Sequence, residues 1–169
     1  MPFNCGYCST KALPINGDVD RVVDNIWSVC ARRGWYYANW LWAIRGLMDK
    51  MFGGVGLRRG RTNPSTINSG DTLDFWRVLV ADKAERRLLL YAEMKLPGEA
   101  WLEFRMCDEE GKSVLRQTAT FRPVGLLGRL YWYSVLPFHH FVFGGMAANI
   151  ISFNNAPSVS TADKALSQP

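Results

Sequence analysis

This chain has few of the side chains that hold metals or attack substrates. There are two histidines and four cysteines, and among the cysteines only Cys5 and Cys8 lie close together. Cys5-Gly-Tyr-Cys8 is a C-x-x-C pair, but a structural zinc needs four ligands. His139 and His140 are adjacent, so on a helix they point about 100° apart. A thioredoxin-type pair sits between a strand and a helix start, whereas this one lies at the beginning of the chain. Cys5, Cys8, Cys30 and Cys107 therefore read as incidental thiols, and neither a metal nor a cofactor is expected. No G-K-[ST] and no G-x-G-x-x-G follows a strand pattern, which argues against phosphate-loop and dinucleotide chemistry. Basic residues form no long run, so nucleic acid is not an expected partner despite a net charge of +5. That charge suits an acidic ligand or a membrane surface. Residues Met1 to Leu13 lack a charged stretch followed by an apolar one. The expected compartment is a reducing cytoplasm, with association at a membrane as a variant.

Charge is also missing from Leu130 to Ile151, where His139 and His140 are the only titratable bases. Such a run is long enough to span a bilayer. Pro137, Gly144, Gly145 and Asn149 interrupt it, and a helix buried along a sheet is the preferred reading. A membrane span and an interfacial helix are the alternatives. Leu127, Leu130, Tyr131, Ser134, Phe138, Phe141, Val142 and Gly145 follow helical spacing and form the expected buried face.

The chain contains 7 Trp, 9 Phe and 6 Tyr, enough for an aromatic core or an aromatic-walled pocket. Phe3 to Leu13 fits a first strand ended by Pro14 and Gly17. Asp18 is placed to cap a helix with Val19, Val22, Val23, Ile26, Trp27 and Cys30 on one face, and Asp20, Arg21, Asp24 and Asn25 on the other. After Gly34, the aromatic stretch Trp35 to Trp42 leads into a second helical pattern through Ile44, Leu47, Met48 and Met51. Gly53, Gly54, Gly56 and Gly60 mark a loop carrying Arg58, Arg59 and Arg61. Those arginines are candidates for binding a phosphate or carboxylate, beside the plainer reading of a solvated loop.

From Asp71 the apolar period becomes two. Strands are expected over Asp71–Asp82, Arg87–Leu96, Glu99–Cys107 and Ser113–Arg122, joined by short turns into an antiparallel meander. Leu88, Leu90, Ala92, Met94 and Leu96 share one face with Ala100, Leu102, Phe104 and Met106, and with Leu115, Gln117, Ala119 and Phe121. The opposite face carries Glu93, Glu103, Arg105 and Arg116, expected to pair across strands. The first of these strands is apolar on both faces and cannot be oriented by pattern. Gln117 is the one plainly polar side chain on the apolar face, and a buried amide needs partners. The candidate ligand wall is Trp76, Met94, Phe104, Gln117, Tyr131 and Phe138. Inward acid–base candidates are His139, His140, Asp74 and Tyr131. Residues 1–152 are expected to form one domain, and 153–169 a disordered tail.

Strand, two helices, glycine-rich connection, meander and long final helix make up an order that resembles the helix-grip fold of the START-related superfamily, which includes polyketide cyclases. The segments 26–28, 33–38, 45–47, 56–61, 70–71 and 73–78 carry a closer resemblance to one uncharacterised bacterial family within it, as do 93–98, 100–102, 118–121, 125–128, 131–133 and 136–139. The likeness covers roughly residues 18 to 150. It implies an α+β helix-grip fold, with a curved antiparallel sheet wrapped around a long C-terminal helix and two shorter helices after the first strand. It also implies a small lipophilic ligand held between sheet and helix. Relatives are often fused behind an NAD(P)-binding dehydrogenase domain. This chain has no such domain, so a dehydrogenase partner would be a separate domain or chain. Three functions follow: a binding module for a lipophilic ligand, a cyclase, dehydratase or isomerase using the same cavity, or a docking domain for a membrane surface or partner.

Overall fold

The computed structural model describes residues 6–29, 47, 50, 66–95 and 97–153. The aromatic stretch Trp35 to Trp42, the arginines at 58, 59 and 61, and the expected tail after Phe153 lie outside them. So does the second helical pattern, apart from Leu47 and Lys50, which are both helical.

The described elements run β1 (Tyr7–Pro14), α1 (Val19–Trp27), β2 (Thr72–Leu73), β3 (Trp76–Asp82), β4 (Arg87–Ala92), β5 (Gly98–Glu109), β6 (Lys112–Pro123) and α2 (Gly125–Ser152). The strands form one antiparallel sheet in the order β1-β6-β5-β4-β3-β2. Together with α2, which packs on its inner face, the curved sheet makes an α+β helix-grip fold. β5 and β6 are joined through Glu110 and Gly111, both at positive φ (52° and 76°). That conformation matches the strand twist of a tight hairpin.

The expected first strand of the meander is two strands. Asp74 adopts a left-handed conformation (φ 55°) and folds β2 back onto β3, pairing Leu73 with Trp76. A register shift between Val78 and Val80 then leaves Leu79, 41% exposed, as an extra residue without a cross-strand register partner and reverses the facing beyond it. Two reversals of facing within ten residues explain why alternation could not orient this segment.

The outer-face charge pairs form with other partners than expected. Arg77 Nε donates to Glu93 at 2.8 Å and Arg87 Nε to Glu103 at 2.7 Å, while Arg116 pairs with Glu109. Arg105 stands in register between Arg87 and Arg116, opposite two like charges.

Asp18 caps α1 as expected, its carboxylate accepting from the Asp20 backbone N–H at 3.0 Å. Val22, Val23 and Ile26 are buried. Asn25 is not on the polar face. It is fully buried, and its amide donates to the carbonyls of Ile150 (2.8 Å) and Phe153 (3.1 Å). The last carbonyls of a helix have no intrahelical donor, so one side chain of α1 closes the end of α2.

At its other end α2 is seated on the β4–β5 turn. Val124 N–H donates to Pro97 O at 2.9 Å. Gly128 lies so close that a Cβ there would stand 2.3 Å from the same oxygen. Midway, α2 bends by 43° between the arms Gly125–His139 and Phe141–Ser152. Pro137 lies beside the bend. It has no N–H for the Tyr133 carbonyl, and its ring crowds the preceding turn. Among the described residues no single helix is long and apolar enough to cross a membrane; the two arms reach that length and composition only together.

The buried face of α2 differs from the expected one. Gly128, Trp132, Val142, Phe143, Met146, Ala147 and Ile150 are buried, whereas Leu127, Leu130, Ser134, Phe138 and Phe141 are exposed. The helix is apolar on every side, so no polar counter-face sets the phase of its buried stripe.

Candidate ligand site on the inner sheet face

Strict alternation along β4, β5 and β6 aims Leu88, Leu90 and Ala92, then Leu102, Phe104 and Met106, then Leu115, Gln117, Ala119 and Phe121 at one side, and all of these are buried. β1 extends the same layer. Tyr7, Ser9, Lys11 and Leu13 are half-buried, while the residues between them are exposed. Tyr7 pairs with Phe121, Ser9 with Ala119, and Lys11 with Gln117. On the outer side of this strand pair, the Thr10 hydroxyl meets that of Thr118 at 3.3 Å and the Cys8 thiol meets the Thr120 hydroxyl at 3.5 Å.

Trp132 reaches down from α2 to this layer. It stacks on Tyr7 (centroids 5.5 Å apart, planes at 13°) and on Phe121 (5.6 Å, 5°), and is 3% exposed. His139 meets its edge at 5.2 Å and tilts against Phe143 at 5.0 Å. Tyr131 tilts on Phe121 at 5.5 Å. The Tyr7 phenol is held above its ordinary pKa, first by its hydrogen bond with Tyr133 and then by desolvation.

Gln117 lies deep in this layer, 1% exposed, between Lys11 on β1 and Phe104 on β5. Neither Nε2 nor Oε1 of its amide has a hydrogen-bond partner. An unmade hydrogen bond on a buried amide costs about 1–3 kcal/mol. Around it the layer is apolar, and small at Ala119 and Ala92.

Of the expected wall residues, Trp76, Phe104 and Gln117 are buried, and Met94 packs against the core at the end of β4. Tyr131 is half-buried. Phe138 is 57% exposed and stands apart from the side chains packed on the sheet. Among the acid–base candidates, His139 faces Trp132, Tyr131 touches Phe121, and Asp74 lies at the β2–β3 turn. The His140 side chain is outside the described residues. No group of three or more metal-ligating side chains occurs among the described residues.

Trp132 and Lys11 were not among the expected site residues. The alternation Tyr7, Ser9, Lys11, Leu13 would have placed Lys11 on the inner face once β1 was registered against β6.

A family model described as a protein of unknown function (DUF2867) matches residues 4–146. No curated protein matches the chain. Among solved structures, a truncated norcoclaurine synthase from Thalictrum flavum is 12% identical, with a TM-score of 0.49 over 86% of this chain and 91% of that one. The protein XoxI from Bacillus cereus is 13% identical (TM-score 0.48, 86% and 93% covered). Ara h 8.0201 is 11% identical (TM-score 0.44, 87% and 99% covered). Likenesses of this size say nothing about ligand or reaction.

Proposed function

Since this chain belongs to the DUF2867 family, whose function is unknown, its role has to be read from its own site, and we propose that it binds a small lipophilic ligand between the inner sheet face and α2. The observation that supports this most is the Gln117 amide, buried in an apolar layer with both its donor and its acceptor unmet. Native proteins keep few such groups. A ligand with an apolar body and one polar function would satisfy the amide and spread over the leucine, phenylalanine and alanine side chains around it. Chemistry at the same site would fall to His139 and Tyr131, the inward acid–base candidates nearest to Trp132 and Phe121. The test is whether the protein leaves its host with such a ligand at one per chain; an empty protein that takes up no lipophile is the contrary result.

The outward side of α2 supports a second reading, peripheral docking at an anionic membrane surface. Leu126, Leu127, Leu130, Tyr133, Phe138 and Phe141 are all more than half exposed. Contiguous apolar surface of this kind marks an interaction site. Arg129 is the one Lys, Arg, Asp or Glu in the sequence of α2, and an apolar face with a single positive charge and no acidic residue suits anionic lipid. The wild type is expected to sediment with phosphatidylserine vesicles at low salt. Leu127→Glu/Leu130→Glu should stay in the supernatant with an unchanged melting temperature. Failure of the wild type to sediment at any salt concentration would remove the membrane reading. The face would then be left to a protein partner, such as the dehydrogenase domain expected from the resemblance.

A further inference from the structure

We infer that the ligand is an anionic amphiphile, a single-chain carboxylate, and that Lys11 and Gln117 together hold its acid group. This rests on the lipophilic-ligand reading above and names the end of the ligand that the site selects. Lys11 and Gln117 are direct partners in the β1–β6 register. Four residues further along each strand pair, Tyr7 and Phe121 both meet Trp132 of α2. Side chains alternate with a period of two, so Lys11 and Gln117 emerge on that same helix-facing side. Gln117 is sealed from solvent and Lys11 is half-buried on the edge strand. The polar end of the site therefore lies toward the sheet edge. Ala119, Leu102 and Phe104, its neighbours on β6 and β5, continue inward without a polar atom in their side chains.

Two unmet atoms on one amide set the chemistry. Nε2 offers N–H donors and Oε1 offers lone pairs. A neutral ether or ketone would satisfy only the donors. A carboxylate beside a lysine satisfies the whole cluster. One carboxylate oxygen accepts from Gln117 Nε2, the other accepts from the Lys11 ammonium, and that ammonium gives another of its three protons to Gln117 Oε1. Charge-assisted bonds of this type are the strong ones, and they gain strength where water is excluded. The ammonium has a third donor for any further contact. An acyl chain then lies over the alanine and leucine rows.

Titration of delipidated protein with dodecanoic acid and with 1-dodecanol, matched in chain length, tests this. The acid is expected to bind at least about tenfold tighter than the alcohol. Lys11→Met keeps the apolar stem and should bring the ratio of acid to alcohol affinity to about one. Gln117→Leu should weaken the acid by a similar factor and serves as a second variant should Lys11→Met fold poorly. Equal affinity for acid and alcohol in the wild type would overturn the inference while leaving the lipophilic site intact. So would an acid preference that survives both substitutions. Binding of neither probe would overturn the site and the inference together.

Discussion

Ala119→Trp will abolish ligand uptake, by a factor on the order of 100 or more, in a protein that still folds. Ala119 is 6% exposed on the inner face, two residues from Gln117 and in register between Ser9 and Leu102. An indole there would stand where the ligand chain is proposed to lie. The outcome separates two states of this face. If the space is reserved for a ligand, the ring enters it and folding stability changes by less than about 2 kcal/mol. If side chains fill it, the ring has to be forced into a close-packed interior, where even a few extra carbon atoms cost about 1–3 kcal/mol. Undiminished binding of dodecanol by Ala119→Trp would place the ligand elsewhere. A variant recovered only as unfolded protein would mean that the face is a filled core.

Asn25→Leu will lower folding stability by about 2–3 kcal/mol. The side chain is wholly buried, and its amide joins α1 to the end of α2 through the carbonyls of Ile150 and the capping residue Phe153. Leucine is close in volume, so packing is largely kept, but the carbonyls lose their donor. The cost is that of stranding buried acceptors rather than of making a cavity. In urea, the midpoint should fall while the slope stays constant, as expected when stability alone changes. A loss below about 0.5 kcal/mol would mean that other groups or water close this helix end. The surface pairs that also tie α1 to the β3–β4 turn, Lys83–Asp24 at 2.8 Å and Arg86–Asp20 at 3.1 Å, are exposed pairs of a kind worth little. Their removal should be nearly silent by comparison.

The last three strands of the meander were legible because their alternation is strict, although the first of them, expected over Arg87–Leu96, ends at Ala92. Once Leu115, Ala119 and Phe121 face inward, Gln117 must follow. The Asp18 cap was legible for a similar reason, since a short acidic side chain before an amphipathic stretch has a local mechanism. The β2–β3 hairpin was not. Asp74 takes a left-handed conformation with no glycine or proline to announce it, and the bulge at Leu79 flips the facing again. The buried face of α2 was illegible because apolar residues surround the helix. The 43° bend near Pro137 also breaks the phase that the spacing rule assumes. By polarity alone Asn25 reads as a solvent-face residue. Its true position follows from its neighbour Ile26 on the buried stripe and from the helix end that it serves. That contact joins residues 125 apart in sequence, and no local pattern reports it. Lys11 depends in the same way on the pairing of the first strand with the last.

The most direct measurement is native mass spectrometry of the protein purified from its own host under mild conditions, followed by organic extraction and identification of what is released. One small organic molecule per chain with an apolar body is the expected result, and an acid group on it would agree with the Lys11–Gln117 pair. A clean mass for the chain alone, together with no uptake of dodecanoic acid or dodecanol, would contradict it. The Gln117 amide would then be an unpaired group within a filled core, and the exposed face of α2 would be the surface to pursue.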